Sequence, residues 1–276
     1  AAASLRFPGA PRDPFNQAEG YRYLSRLVRA GLEGFLEDAD PRAPTLKRVV
    51  HETVKMGADN PDNYYQNASI TGACEYRIRG NRGTVAYLAF ATQAGHYGQG
   101  GGLPPTGALE ASMLTMDADG NFEIAVSCEK RPGNWLPMRP ETNQLLIRQT
   151  LLDRRRQAPA RVELERLGAP LPRAPLDPLA FGAALASAAG FTEGAIRQFI
   201  GWSDAFAKRP NQVFPLPEAL ASAARGDPST RYLNGYYRLE PDEALLIELD
   251  PPKCEYWNFQ LCNHWLESLD YEHHTT

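Results

Sequence analysis

The chain has 276 residues, enough for one large domain or two small ones, and 29 basic against 33 acidic side chains leave a net charge of -4. Neither sign collects into a run longer than Arg154-Arg155-Arg156, so the basic face with stacking aromatics expected of a nucleic-acid binder is missing, and the three arginines read as an exposed turn. No run of apolar residues approaches the ~20 of a membrane span, the opening AAASLRFPGAPRDP lacks the order of a signal peptide, and the four cysteines form no CxxC pair. These features read as a soluble, cytoplasmic chain with buried free thiols, no metal site and no cofactor.

Asn16 to about Asp38 has helical spacing, with Tyr21, Leu24, Leu27, Val28, Leu32, Phe35 and Leu36 recurring at three and four, and Asn16 with Glu19 imitates a capping box. After a proline-rich break, TLKRVVHETVKMG predicts a short helix closed at Gly57, which completes N-terminal helices over 16–57. The residues Asn60-Pro61-Asp62-Asn63 favour a turn through backbone hydrogen bonding, while Tyr64 and Tyr65 bring phenols that can face a pocket.

Residues 68–167 read as a first β segment. SITGACEYRIRG and GTVAYLAFAT flank Gly80-Asn81-Arg82-Gly83 as an expected hairpin, LEASMLTMDADGNFEIAVS repeats the arrangement around Asp119-Gly120, and QLLIRQTLLD and ARVELERL supply two more strands. DADGNFE alternates oxygen ligands as calcium loops do, but its glycine stands fourth and not sixth, which favours the turn. The glycine-rich Gly95–Gly107 segment lacks phosphate-loop spacing and reads as a mobile cover, which makes His96 and Tyr97 candidates for a pocket wall.

A helical insertion is expected over 177–209, started by Asp177-Pro178, striped by Ile196, Phe199, Ile200, Trp202 and Phe206, and stopped by Pro210. Strands return over 231–271 as RYLNGYYRL, EALLIEL and EYWNFQLCN, so the whole of 1–276 is expected to be one compact α+β unit: a β-sandwich or jelly roll with an N-terminal helix and a helical insertion across one sheet.

EYWNFQLCNHWLESLDY is the most informative stretch for function. In a strand, Trp257, Phe259 and Leu261 point to one face and Tyr256, Asn258, Gln260 and Cys262 to the other. The first set suits a core, and the second suits either a buried amide network or a polar-edged cavity continued by His264 and Trp265. His264 is the candidate general base, with Glu267 three residues on to orient it if the chain turns helical there. Tyr65 or Tyr256 is the candidate acid or oxyanion donor. Tyr64, His96, Tyr97, Trp135, Trp257, Asn258, Gln260, Trp265 and Glu267 complete a candidate binding wall.

The segment Leu109–Asp153, with its DG turn, its PGNWLP turn at Pro132–Pro137 and its aliphatic strand, resembles the bacterial family catalogued as domain of unknown function 1214. DNPDNYYQNASI and WNFQLCNHW are similar to its stand-alone members. The resemblance implies a β-sandwich core and supplies no activity and no catalytic residues. It departs from the longer members, which carry a second β domain where this chain has helices.

With nucleotide, metal, kinase and GxSxG signatures all missing, the expected function is a cofactor-independent lyase or isomerase acting by acid-base chemistry on a small apolar or aromatic molecule. The competing expectations are a non-catalytic binder of the same ligand and a homo-oligomer joined by the C-terminal aromatics. No nucleic-acid or membrane partner is expected.

Overall fold

The computed structural model describes residues 9–97, 105–169, 175–217, 220 and 230–274. Ten strands and two long helices follow in the order α1 (Pro14–Leu32), β1 (Asn63–Ser69), β2 (Tyr76–Asn81), β3 (Tyr87–Gln93), β4 (Pro105–Glu110), β5 (Asn121–Ser127), β6 (Trp135–Pro137), β7 (Gln144–Thr150), β8 (Arg161–Arg166), α2 (Pro178–Phe206), β9 (Val213–Pro215) and β10 (Leu233–Gly235). The α+β class expected from the sequence is what folds: two packed four-stranded sheets, sandwich-like, with an N-terminal helix and a second long helix.

One sheet has the order β1-β7-β3-β4 and the other β6-β5-β2-β8. Ile78, Ile124 and Val126 of the second sheet meet Leu88, Phe90, Leu145 and Ile147 of the first in an apolar core. The register explains the composition of β1 and β7. Ala68 and Ile147 turn inward, while Asn63, Tyr65 and Asn67 share the outer face with Thr150, Arg148 and Leu146 directly across the ladder.

Neither expected hairpin forms. β2 lies in one sheet and β3 in the other, so Gly80–Gly83 is a corner where the chain changes sheets; β4 and β5 are divided in the same way, and β5 pairs with β2. The turns themselves are correct: Gly83 and Gly120 both take positive φ, and Asp117 accepts from the Asp119 and Asn121 amides. Turn chemistry fixes where the backbone reverses, but two facing apolar sheets gain more by dividing consecutive strands between them. The PGNWLP turn lays β6 parallel to β5, with Asn134 donating to the Thr115 and Glu123 carbonyls.

The helical layer has a core of its own. Tyr23 and Leu27 of α1 pack with Phe191, Ala195, Ile196, Phe199 and Phe206 of α2 and with Trp265, so α2 lies on α1 and is not an insertion across a sheet. Asp13, not Asn16, caps α1: its carboxylate accepts from the Asn16 amide, and Pro14 opens the first turn. The buried stripe of α1 is Gly20, Tyr23, Leu27, Ala30 and Gly31, one step away from the expected one, and Tyr21, Val28 and Leu32 remain exposed. Small residues select this face, since a methyl group on Gly20 would stand 2.7 Å from the Trp265 ring.

α2 is, by length and composition, the one helix among the described residues able to cross a bilayer, which the expectation of no such run overlooked. Its C-terminal half is buried in the helical core, and Leu179, Phe181 and Leu185 of its first turns are exposed.

The expected helix over Thr45–Gly57 is replaced by an irregular crossing, because Lys47 pairs with Asn67 beside β1 and His51 with Val54 in a tight loop. Gly57 does take the expected left-handed conformation (φ +69°), but against the Phe199 ring and not at a helix end. Of the returning strands over 231–271, only Leu233–Gly235 forms a ladder, with β9; the rest is irregular chain with isolated bridges from Tyr236 to Pro210 and from Cys262 to Ser268. The four cysteines are free, but Cys128 and Cys254 are exposed and not buried.

Candidate functional site

A cleft of about 2560 Å³ lies between the outer face of the β1-β7 sheet, the helical layer and the irregular C-terminal chain. That volume exceeds the ~300–1,000 Å³ of one small-molecule pocket, so the chemistry is sought in its densest polar part. That part is the floor where β1 begins.

Asn60 organises it. Its side-chain oxygen accepts from the Asp62 amide at 2.9 Å and from Asn258 Nδ2 at 2.7 Å, its Nδ2 donates to the Tyr256 hydroxyl at 3.1 Å, and its backbone amide donates to the Tyr65 hydroxyl at 3.3 Å. Tyr256 in turn donates to Asp62 Oδ2 at 2.7 Å. Asn63 Nδ2 donates to the Tyr65 hydroxyl at 3.0 Å and is itself fixed through Thr150, whose hydroxyl donates to Asn63 Oδ1. The NPDN turn and the YWNFQ stretch, 196 residues apart from Asn60 to Tyr256, therefore close on each other through side chains.

The two phenols end up with different capacities. Tyr256 has committed its proton to Asp62, whereas Tyr65 accepts two N–H bonds and its own proton has no acceptor among the described residues. Burial pushes the Tyr65 phenol up to about 12 and raises Tyr256 further, so both stay neutral near pH 7 and neither can act as a base there. Arg148, directly opposite Tyr65 in the ladder, is buried on the same floor and lowers the Tyr65 pKa against the effect of burial. A polarised O–H donor beside a guanidinium is a receptor for a carbonyl or carboxylate oxygen.

His264 also lines the cleft, but in another part. Its Nδ1 lies 3.1 Å from the Tyr236 hydroxyl, its carbonyl accepts from Ser203, and burial lowers its pKa, which keeps the imidazole neutral. The expected orientation by Glu267 does not occur. The chain after Asn263 does not become helical: Leu266 has φ +56°, and Glu267 is buried in an ion pair with Arg26 at 2.7 Å and a bond from Asn263. Trp265 is fully buried under α1. These two residues hold the C-terminal hook to the helices.

The remaining candidates divide. Tyr65, Tyr256, Asn258 and Gln260 face the cleft floor; His96 and Tyr97 border the cleft from the helical side, packed on Phe35 and on Phe191 and Phe199. Tyr64 points to the opposite face of β1 under the Arg48 guanidinium, and Trp135, the first residue of β6, donates its indole N–H to Ser127 Oγ away from the cleft. Residues 98–104 of the expected mobile cover lie outside the described residues. Of the alternation expected of Tyr256–Cys262, the polar set Tyr256, Asn258 and Gln260 reaches the cleft floor, whereas Trp257 and Phe259, expected in a core, are 56% and 42% exposed.

Sequence reasoning assigned Asn60, Asp62 and Asn63 to a turn alone and did not single out Arg148. The available signal was the period-two pattern Asn63, Tyr65, Asn67, a polar face on a strand whose other face is core. A second polar centre was also missed: Asp59, pushed up to about 6 by burial, accepts from Ser268 N and Oγ, and Lys55 donates to the Ser268 and Leu269 carbonyls. Among the described residues no group of three His, Cys, Asp or Glu could hold a metal ion.

No protein-family profile and no curated protein matches the chain. Among solved structures, an uncharacterized protein from Burkholderia cenocepacia is similar at 44% identity and a TM-score of 0.92, over 99% of this chain and 76% of that one. A protein from Vibrio parahaemolyticus matches at 11% identity and a TM-score of 0.33, over 74% of this chain and 63% of that one.

Proposed function

The chain belongs to the family of the uncharacterized Burkholderia cenocepacia protein, and we propose that it is a cofactor-independent acid-base enzyme, of lyase or isomerase type, acting on a small, partly apolar or aromatic molecule. The observation that carries this reading is the Tyr65 hydroxyl: two N–H donors fix its oxygen, and its own proton is left for a ligand beside Arg148. A substrate carbonyl oxygen that accepts a hydrogen bond from that O–H gains negative charge as the neighbouring C–H bond breaks and its proton passes to a base, and the fixed donor and the guanidinium stabilise the enolate oxygen. Asn258 and Tyr256 hold the wall against which the substrate body lies. His264, neutral and on the same cleft, is the base. The resemblance to domain of unknown function 1214 stays part of this proposal and adds no chemistry to it.

A second reading, binding without chemistry, is favoured by one observation: His264 bonds Tyr236 and shares no bonding partner with the Tyr65 cluster. One experiment separates the two. Small molecules retained by the natively purified chain are identified by mass, then returned to it in D2O. Retention lost in Tyr65→Phe, with one deuterium gained per turnover in the parent and none in His264→Ala, supports the enzyme; retention lost in Tyr65→Phe without label uptake supports the binder; retention unchanged in Tyr65→Phe rejects the site.

A further inference from the structure

The register of β1, β7 and β3 sets the outer face of their sheet into rows. Tyr65 stands opposite Arg148, Asn67 opposite Leu146 and Ser69 opposite Gln144, and on the other side of β7 these rows continue to Ala89, Ala91 and Gln93. Gln144, Leu146 and Arg148 line the cleft. Gln93 lies beside Gln144 on the same face, because Leu88 and Phe90 of β3 and Leu145 and Ile147 of β7 turn into the sandwich.

The Gln93–Gln144 row holds two side-chain carbonyls that nothing satisfies. Gln93 is 3% exposed and Gln144 half-buried, and the Oε1 atom of each is shut off from solvent and accepts no hydrogen bond. Gln149, on the inner face of β7, shows what a structural glutamine does in this sheet: its Nε2 donates to Gln66 Oε1 and the Ala160 carbonyl, and its Oε1 accepts from the Ala160 amide. A buried acceptor without a donor is costly, and here two stand side by side across one ladder, their Cβ atoms roughly 5 Å apart. The soft last torsion of a glutamine lets either amide turn toward the cleft without moving its strand.

Taking Tyr65 and Arg148 as the receptor for an oxygen, as proposed above, we infer that Gln93 and Gln144 form the far subsite of the same floor, and that the molecule bound there is an elongated apolar carbonyl or carboxylate compound whose other end carries a hydrogen-bond donor, an amino group or a hydroxyl. Two adjacent acceptors match the two protons of one amino group. The two rows are four residues apart along β7, about 14 Å at ~3.4 Å per residue, and a hydrogen bond of ~3 Å at each end leaves on the order of 8 Å between the polar atoms of the ligand. Leu146 and Ala91 occupy β7 and β3 in the row between, which suits a flat apolar body.

The test is a titration of this chain with biphenyl carboxylates that bear an amino, a hydroxyl or a methyl group at the far para position, repeated on Gln93→Met, Gln144→Met and Tyr65→Phe. In the parent the amino compound binds at least tenfold tighter than the methyl compound, with the hydroxyl compound between them. Each methionine variant reduces that preference below threefold and leaves the methyl compound within twofold of its parent affinity, whereas Tyr65→Phe weakens all three compounds at least tenfold. Because each methionine removes a buried acceptor that has no donor, neither variant unfolds at a lower urea midpoint than the parent. Lowered midpoints in both methionine variants make the glutamines structural and overturn the subsite. Equal affinity for the three compounds, all weakened by Tyr65→Phe, removes the subsite and leaves the Tyr65–Arg148 floor. Binding indifferent to Tyr65→Phe, or no binding by any of the three, removes the floor and the spanning ligand with it.

Discussion

β1 and the arm around Tyr256 both alternate polar with aromatic residues and both touch Asn60, yet they are held in different ways. β1 is held by a full ladder to β7, and its polar face is fixed to the register of Arg148 and Thr150. The Tyr256–Gln260 stretch has no ladder and is held by three side chains reaching the turn ahead of β1. The difference teaches that backbone pairing sets a site's geometry, while side-chain tethers decide which second segment closes it. The floor belongs to the sheet and the wall to the arm.

The largest expected break lies away from both, in the hook that returns the arm to the helices. Trp265→Ala leaves a cavity under α1 and costs ~3–5 kcal/mol, read as a lowered urea midpoint. Gly57→Val forces a β-branched residue to positive φ against Phe199 and costs about 2–4 kcal/mol on the same assay; a loss no greater than that of a surface substitution contradicts the packing described.

The hook also carries a pH signature. The folded pKa of Asp59 is raised from 3.8 to about 6 by burial, so between those values the folded state binds more protons than the unfolded one, and this group's contribution to stability falls as pH rises through that window. Asp59→Asn removes that slope. The variant therefore gains on the parent by on the order of 2 kcal/mol between pH 4 and pH 7, and denaturation curves at the two pH values with a constant difference rule the account out.

Smaller effects sharpen the comparison between floor and wall. Asn60→Ala removes the side-chain bonds to Tyr256, Asn258 and the Asp62 amide, keeps the backbone bond to Tyr65, and so frees the wall while leaving the floor; it lowers ligand retention at least tenfold, for a stability loss of about 1–2 kcal/mol. Trp257→Lys, at an exposed position of the arm, changes the stability of this chain by no more than ~0.5 kcal/mol.

Much of this was legible in the sequence and the rest was not, for definite reasons. Spacing located the strands because a core face demands alternation, and Asp177-Pro178 marked the start of α2. Turn signals predicted hairpins at Gly80–Gly83 and Asp119-Gly120 because local chemistry shows where a chain reverses and not which sheet receives it. Tyr65 and Tyr256 were legible as cleft-facing residues, since phenols beside amides are poor solvent-facing strand residues. Asn60 was not, because an asparagine before proline fits a turn as well as a hub. Arg148 sat inside an aliphatic run and only the β1-β7 register places it opposite Tyr65. Trp257 and Phe259 stay exposed where a core was expected, because alternation separates two faces of a segment and does not say which of them the core takes.

The most direct test of the cleft floor is a titration of the natively retained small molecule into the parent, Tyr65→Phe and Arg148→Met, following the Tyr65 ring and the Asn63 amide by NMR. The account predicts shifts confined to the β1-β7 floor and affinity at least tenfold weaker in each variant, with stability within about 1 kcal/mol of the parent for Tyr65→Phe. Equal affinity in all three proteins, or shifts confined to the surroundings of His264, would contradict it.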